Sequence, residues 1–138
     1  NGELLKVLVA QMDEFIHEQQ SVTAMQPYLE IFIDSKQRLV DTTAAIISNA
    51  VDAPDEIGAA SYAYMELMGL TLYCFMWQRI LAAALMAQEA GSGDREYLDG
   101  LIKTGEFFLY RMLPRSKSLV EEIAAGATVM MAMSAEQF

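Results

Sequence analysis

The chain has 138 residues, 54 % of them hydrophobic and 20 % charged, which suffices for one domain with a buried core and excludes a disordered tail. A formal net charge of −10 argues against an electrostatic grip on nucleic acid or on an anionic membrane surface. The one cysteine, Cys74, excludes an internal disulfide, and its place in the most apolar stretch fits a reducing, cytoplasmic setting.

The opening run NGELLKVLVAQMDEF carries Glu3 where a secretory leader would carry positive charge, so it does not read as a signal peptide. It lacks an initiator Met and enters a helical pattern almost at once, which reads as a piece cut from a longer chain. A first helix is predicted from about Glu3 to Gln20, with Leu5, Leu8, Met12, Phe15 and Ile16 on one face. SVTAMQP interrupts it, and Pro27 suits the first turn of a second helix, about Pro27 to Val51. Leu29, Phe32, Ile33, Val40, Thr43 and Ile47 share its apolar side, while Glu30, Asp34, Gln37, Arg38 and Asp41 take the other.

VDAPDE ends that helix, and Pro54, Asp55 and Glu56 open a third, with acids at its positive end. The third helix contains LMGLTLYCFMWQRILAAALMAQEAGSG (Leu67–Gly93). A membrane span needs about 20 consecutive apolar residues, and Gln78 with Arg79 breaks the run near its middle. Apolar nearly all round, it is predicted to be the central helix of a bundle, with Tyr62–Met86 enclosed by other helices and part of the helix surface reserved for a partner. AGSGD (Ala90–Asp94) is a turn, and a fourth helix follows with Tyr97, Leu98, Leu101, Ile102, Phe108, Leu109 and Met112 in its stripe. Pro114 kinks this helix or separates it from a last one, Ser116 to about Ala135, striped by Leu119, Val120, Ile123, Ala127 and Met130. The fold class is therefore all-α, an up-and-down bundle of four to five helices around a central apolar helix.

Site chemistry is sparse. Glu14-x-x-His17 matches the helical half-motif of di-iron carboxylate bundles, but such a centre needs a second histidine and the chain has one. A hydrolytic triad would likewise have only His17 as base. AGSGD lacks the lysine and the preceding strand of a phosphate loop, and Glu121 and Glu122 diverge by about 100° on a helix, so they form no acid–base pair. No catalytic, cofactor-binding or metal-binding residue is assigned.

The ten methionines read mainly as core filling where they fall in stripes. Val129 and Met133 fall off the last helix's stripe, and Phe107 and Tyr110 off the fourth's, which marks them as a domain-docking surface. Lys36 and Arg79 stand where the patterns want apolar residues. Each is expected to find a carboxylate within the domain, such as Glu66; the alternative role is to anchor a neighbouring domain or an acidic ligand group.

Three runs carry a family resemblance: AMQPYLEIFIDSKQRLVDTT (Ala24–Thr43), GAASYAYMELMGLTLYCFMWQRILAAAL (Gly58–Leu85) and KTGEFFLYRMLPRSKSLVEEIAAGATVMMAM (Lys103–Met133). Phe107 and Phe108 followed by Arg111, Leu113 and Pro114, then Ile123–Gly126, are its most specific part. Together they resemble the helical C-terminal extension of acyl-CoA dehydrogenases of the methylmercaptopropionyl-CoA dehydrogenase-like subgroup. The resemblance implies a parent flavoprotein that oxidises acyl-CoA thioesters between Cα and Cβ, passing hydride to FAD while a glutamate takes the α-proton. The FAD site, the thioester site and that glutamate belong to upstream domains, so this chain is expected to hold no cofactor and to be inactive alone. Its implied partners are those upstream domains or a neighbouring subunit, and the isolated chain is expected to self-associate. The alternative is a free-standing helical module that holds a lipid or peptide in a Met-lined groove.

Overall fold

Five α-helices account for most of residues 2–137, the part that this computed structural model describes, and no strand occurs among them. They are α1 (Glu3–Gln19), α2 (Gln26–Asn49), α3 (Asp55–Glu89), α4 (Arg95–Phe107) and α5 (Arg115–Ala124). A 3-10 turn at Thr23–Met25 leads into α2, and a π-helical turn at Phe108–Met112 joins α4 towards α5.

Side-chain hydrogen bonds fix how the helices run. The Gln78 amide donates to the Tyr28 carbonyl at 2.9 Å, Ser35 Oγ donates to Thr71 Oγ1 at 3.4 Å, and Thr43 and Tyr64 share a hydrogen bond of 2.8 Å. Numbers rise on α2 as they fall on α3, so the two are antiparallel. On the other flank, Tyr73 meets Phe108 edge-on at 6.3 Å and Glu66 faces Arg115 at 3.9 Å, which sets α4 and α5 end to end antiparallel to α3. An ion pair between Lys36 and Asp13 ties α1 to α2. The result is an up-and-down bundle with α3 touching α2, α4 and α5.

Two apolar clusters make the core. One gathers Met12, Met25, Leu29, Phe32, Cys74, Phe75, Leu81, Phe108 and Leu109; the other gathers Leu39, Ala60, Ala63, Leu67, Leu119 and Ile123. Phe32 and Phe75 stack with ring centroids 5.4 Å apart, and Phe15 of α1 presents its edge to both. Between the clusters lie buried polar side chains, Ser35 with Thr71, and Ser116, which accepts from Arg38 at 3.1 Å. Partnered polar groups in that position cost little, because burial there replaces water with hydrogen bonds.

Proline shapes the α4–α5 junction. Pro114 has no N–H to give the carbonyl four residues back, and the turn before it widens by one residue, with the Leu113 N–H donating to the Phe108 carbonyl at 2.9 Å. Gly105 sits where α4 crosses α3; a Cβ there would lie 3.0 Å from Leu81 and 3.1 Å from Trp77. The last helix stops at Ala124, well short of Ala135, because Gly126 turns left-handed at φ 71° and the Ala127 N–H is taken by the Glu56 carboxylate at 3.0 Å. Ala127 is buried by that contact, whereas Met130 is exposed.

Several stripe assignments are corrected. Ile33 and Ile47 of α2, and Tyr97 and Met112 beyond it in the chain, are exposed, although the spacing places them in stripes. The buried line of α2 runs through Leu29, Phe32, Ser35, Leu39 and Thr42. Two of those five are polar, which hid the true phase from a reading of hydrophobicity alone.

Candidate functional site

The feature that sets this bundle apart is α3 itself. It is 35 residues long, about 52 Å at the usual rise, and passes the length and composition test for a membrane span, with one third of its most apolar window buried. At about 100° per residue, Ala60, Ala63, Leu67, Thr71, Cys74, Gln78, Leu81 and Ala84 fall on one side, and all are buried against α2, α4 and α5.

The opposite side is also apolar, and it is open. Tyr62, Met65, Gly69, Tyr73, Met76, Ile80 and Ala83 follow one another at spacings of three and four, which holds them in a single stripe. Tyr62 is 65 % exposed, Met65 63 % and Tyr73 64 %, while Met76 and Ile80 are 41 % and 36 % exposed. The expectation that Tyr62–Met86 is enclosed on all sides is therefore overturned, together with the reading of Met65, Met76 and Met86 as core filling. A helix apolar all round need not be buried all round; here one stripe of it faces solvent.

The residues singled out from the sequence lie elsewhere. Phe107 ends α4 and Tyr110 lies in the π turn, both exposed; Val129 and Met133 are exposed in the segment after α5. Tyr110 also borders a small cavity of about 230 Å³ with Ile31, Leu109, Leu113 and Pro114. Tyr73, in edge contact with Phe108, links the α3 stripe to the α4 end where Phe107 lies.

Of the charges, Lys36 pairs with Asp13 and Glu66 with Arg115. Arg79 departs from expectation: it forms no ion pair among the described residues, and its guanidinium lies 6.0 Å from the centroid of the Phe75 ring. Its partner is an aromatic face, not a carboxylate.

Titratable groups in the core are held neutral. Burial pushes the Cys74 thiol from 9.0 to about 12 despite the Gln78 amide beside it, so thiolate chemistry is suppressed. Burial, and then the hydrogen bond of 2.8 Å to Glu106, pushes the Tyr28 hydroxyl from 10.0 to about 12. Among the described residues no three His, Cys, Asp or Glu side chains converge as a metal centre. An open groove of about 1810 Å³ lies at one end of the bundle, between the end of α1 and the start of α4. Met86 is the only methionine on its wall, and the groove exceeds the roughly 300–1,000 Å³ of a small-ligand pocket.

An all-helical bundle whose longest helix is apolar on both sides, with its titratable core groups silenced, is organised for packing. The sequence profile of the family described as "Acetyl-CoA dehydrogenase C-terminal like" matches residues 8–134. The chain belongs to that family. No curated protein matches it. The matched span begins within α1 and ends beyond α5, so α2 to α5 and the α3 stripe lie inside the acyl-CoA dehydrogenase C-terminal-like domain. The sequence reading reserved part of the α3 surface for a partner but did not single out these stripe residues, because apolarity all round gives no sign of which face the bundle covers. The stripe itself is present as the second run of three-and-four spacings from Tyr62 to Ala83, which carries no charge.

Proposed function

We propose that this domain is a non-catalytic packing accessory of an FAD-dependent acyl-CoA dehydrogenase of the methylmercaptopropionyl-CoA dehydrogenase-like subgroup. In this reading the parent enzyme removes hydrogen from Cα and Cβ of an acyl-CoA thioester, and both flavin and catalytic base reside in its other domains. This chain supplies surface. Family membership supports the dehydrogenase context. The observation that carries the packing role is the open stripe from Tyr62 to Ala83, because a contiguous apolar face of this length exposed to water marks an interaction site.

The test has two arms. The purified 138-residue chain should take up no flavin absorbance on incubation with FAD and should reduce no electron-acceptor dye with acyl-CoA; flavin uptake or turnover overturns the accessory reading. In a dehydrogenase that carries the domain, Tyr73→Glu should lower the melting temperature or loosen subunit association while its flavin content holds. An enzyme indifferent to a charge at position 73 would show that the stripe is not its packing face.

A further inference from the structure

We infer that the α3 stripe pairs with the same stripe of a second copy of this chain, antiparallel, about a two-fold axis passing between Leu72 and Tyr73. The inference rests on the packing role above only in assigning that second copy to a neighbouring enzyme subunit.

Four observations converge. First, the spacing of Tyr62, Met65, Gly69, Tyr73, Met76, Ile80 and Ala83 is that of a helix seam, three and four residues in alternation, which packs best against another helix. Second, the stripe is complementary to itself when reversed. About the stated axis Tyr62 meets Ala83 of the second copy, Met65 meets Ile80, and Gly69 meets Met76, and by symmetry each contact occurs twice. A bulky residue faces a small one at two of these three pairs, and at the axis the two copies of Tyr73 lie side by side, so contact is closest on either side of the centre.

Third, the area is adequate. With large side chains offering about 200 Å² each, the stripe leaves roughly 500 Å² open per copy and roughly 1,000 Å² for a pair, the size at which specific interfaces begin. Fourth, the flanking helices leave most of the stripe open: α1 approaches α3 through Phe15 on Phe75, and α4 through Gly105 against Trp77 and Leu81, touching the stripe through Phe108 at the edge of Tyr73, which remains largely exposed. The stripe carries no charge while each copy carries −10 overall, so the copies repel at long range and attract only in contact.

Single cysteines read the register. Antiparallel pairing about this axis brings the two copies of residue 73 nearly opposite each other and leaves the two copies of residue 62 roughly 30 Å apart, at 1.5 Å per residue. On mild oxidation, Tyr73→Cys should form a disulfide-linked dimer, Tyr62→Cys alone should not, and the double variant Tyr62→Cys with Ala83→Cys should. The unaltered chain is the control, because Cys74 is fully buried. Adding Met76→Glu to Tyr73→Cys should cut the cross-linked fraction at least tenfold, and raising the salt should increase self-association in sedimentation.

All of these positions are open, and circular dichroism verifies that each variant is folded. Cross-linking of Tyr62→Cys as readily as Tyr73→Cys would overturn the antiparallel register. A folded chain that stays monomeric at high protein and salt, with no variant cross-linking, would overturn the pairing itself, as would capture of the chain by phosphatidylcholine vesicles through the same stripe. Each of those outcomes leaves the dehydrogenase test above standing, since another domain of the enzyme could then cover the stripe.

Discussion

The carboxylate of Glu56, in the first turn of α3, accepts a hydrogen bond from the backbone N–H of Ala127 at 3.0 Å, joining residues 71 apart in the chain. It anchors the segment after α5 onto the start of α3, and Gly126 makes the approach possible: a Cβ there would stand 3.0 Å from Glu56 Oε1, on a backbone whose φ of 71° disfavours any side chain. Gly126→Ala should cost about 1–2 kcal/mol, from left-handed strain and the crowded carboxylate. Glu56→Ala should cost a similar amount by orphaning the Ala127 N–H. Urea unfolding of both variants and of their combination checks this; the double variant should lose less than the two losses added, because they act on one contact.

Gly105 tests the crossing of α4 over α3. Alanine there gains helix propensity of about 1 kcal/mol but must push Leu81 and Trp77 aside, so the two effects nearly offset. Valine has no such balance and should destabilise by about 1–3 kcal/mol through overpacking. Trp77 is the only tryptophan, so its fluorescence should shift in Gly105→Val and stay close to the parent spectrum in Gly105→Ala.

Alkaline pH should unfold the domain earlier than its many carboxylates would suggest. Tyr28 and Cys74 both titrate higher in the fold than in the open chain, so the native state holds protons that the unfolded state releases. Their contribution is complete below about pH 9, fades first as unfolded thiol ionises from 9.0, then as unfolded phenol ionises from 10.0, and is gone near pH 12. Stability measured from pH 8 to 11 should fall, and Tyr28→Phe should flatten the slope above pH 10. The same shift predicts that Cys74 reacts with thiol reagents only at the rate of unfolding.

Much of this architecture is legible in the sequence, and the misses share a cause. The number of helices and their approximate order follow from Pro27, Pro54 and the AGSGD turn, which punctuate strongly. The phase of α2 was obscured by Ser35 and Thr42, polar residues that belong inside because Thr71 and the Arg38 carbonyl partner them. The end of α5 was obscured because Gly126 acts only together with Glu56, a partner 70 positions away that no local pattern reveals. For α3 the apolar circumference is legible, and so is a share of it for a partner; which face stays open is not, because uniform apolarity states that both faces avoid water and does not state which of them this chain covers.

Gln78 probes the buried side of the same helix. Its amide nitrogen bonds the Tyr28 carbonyl at 2.9 Å, yet its Oε1 is buried with no partner among the described residues. Gln78→Met removes the orphan oxygen at similar volume and should change stability by less than about 1 kcal/mol. Gln78→Glu, which would bury a charge, should be far worse near neutral pH and recover on acidification. Thermal melts at pH 5 and pH 8 separate the two.

Methionine oxidation reads most directly whether α3 lies open on one side. In dilute solution, peroxide followed by mass spectrometry should modify Met65 and Met76 at rates approaching that of exposed Met130, while Met12 and Met25, both fully buried, react many times more slowly. If Met65 and Met76 are instead as slow as Met12 under conditions where the chain sediments as a monomer, then the helix is enclosed by its own bundle and the packing surface described here does not exist.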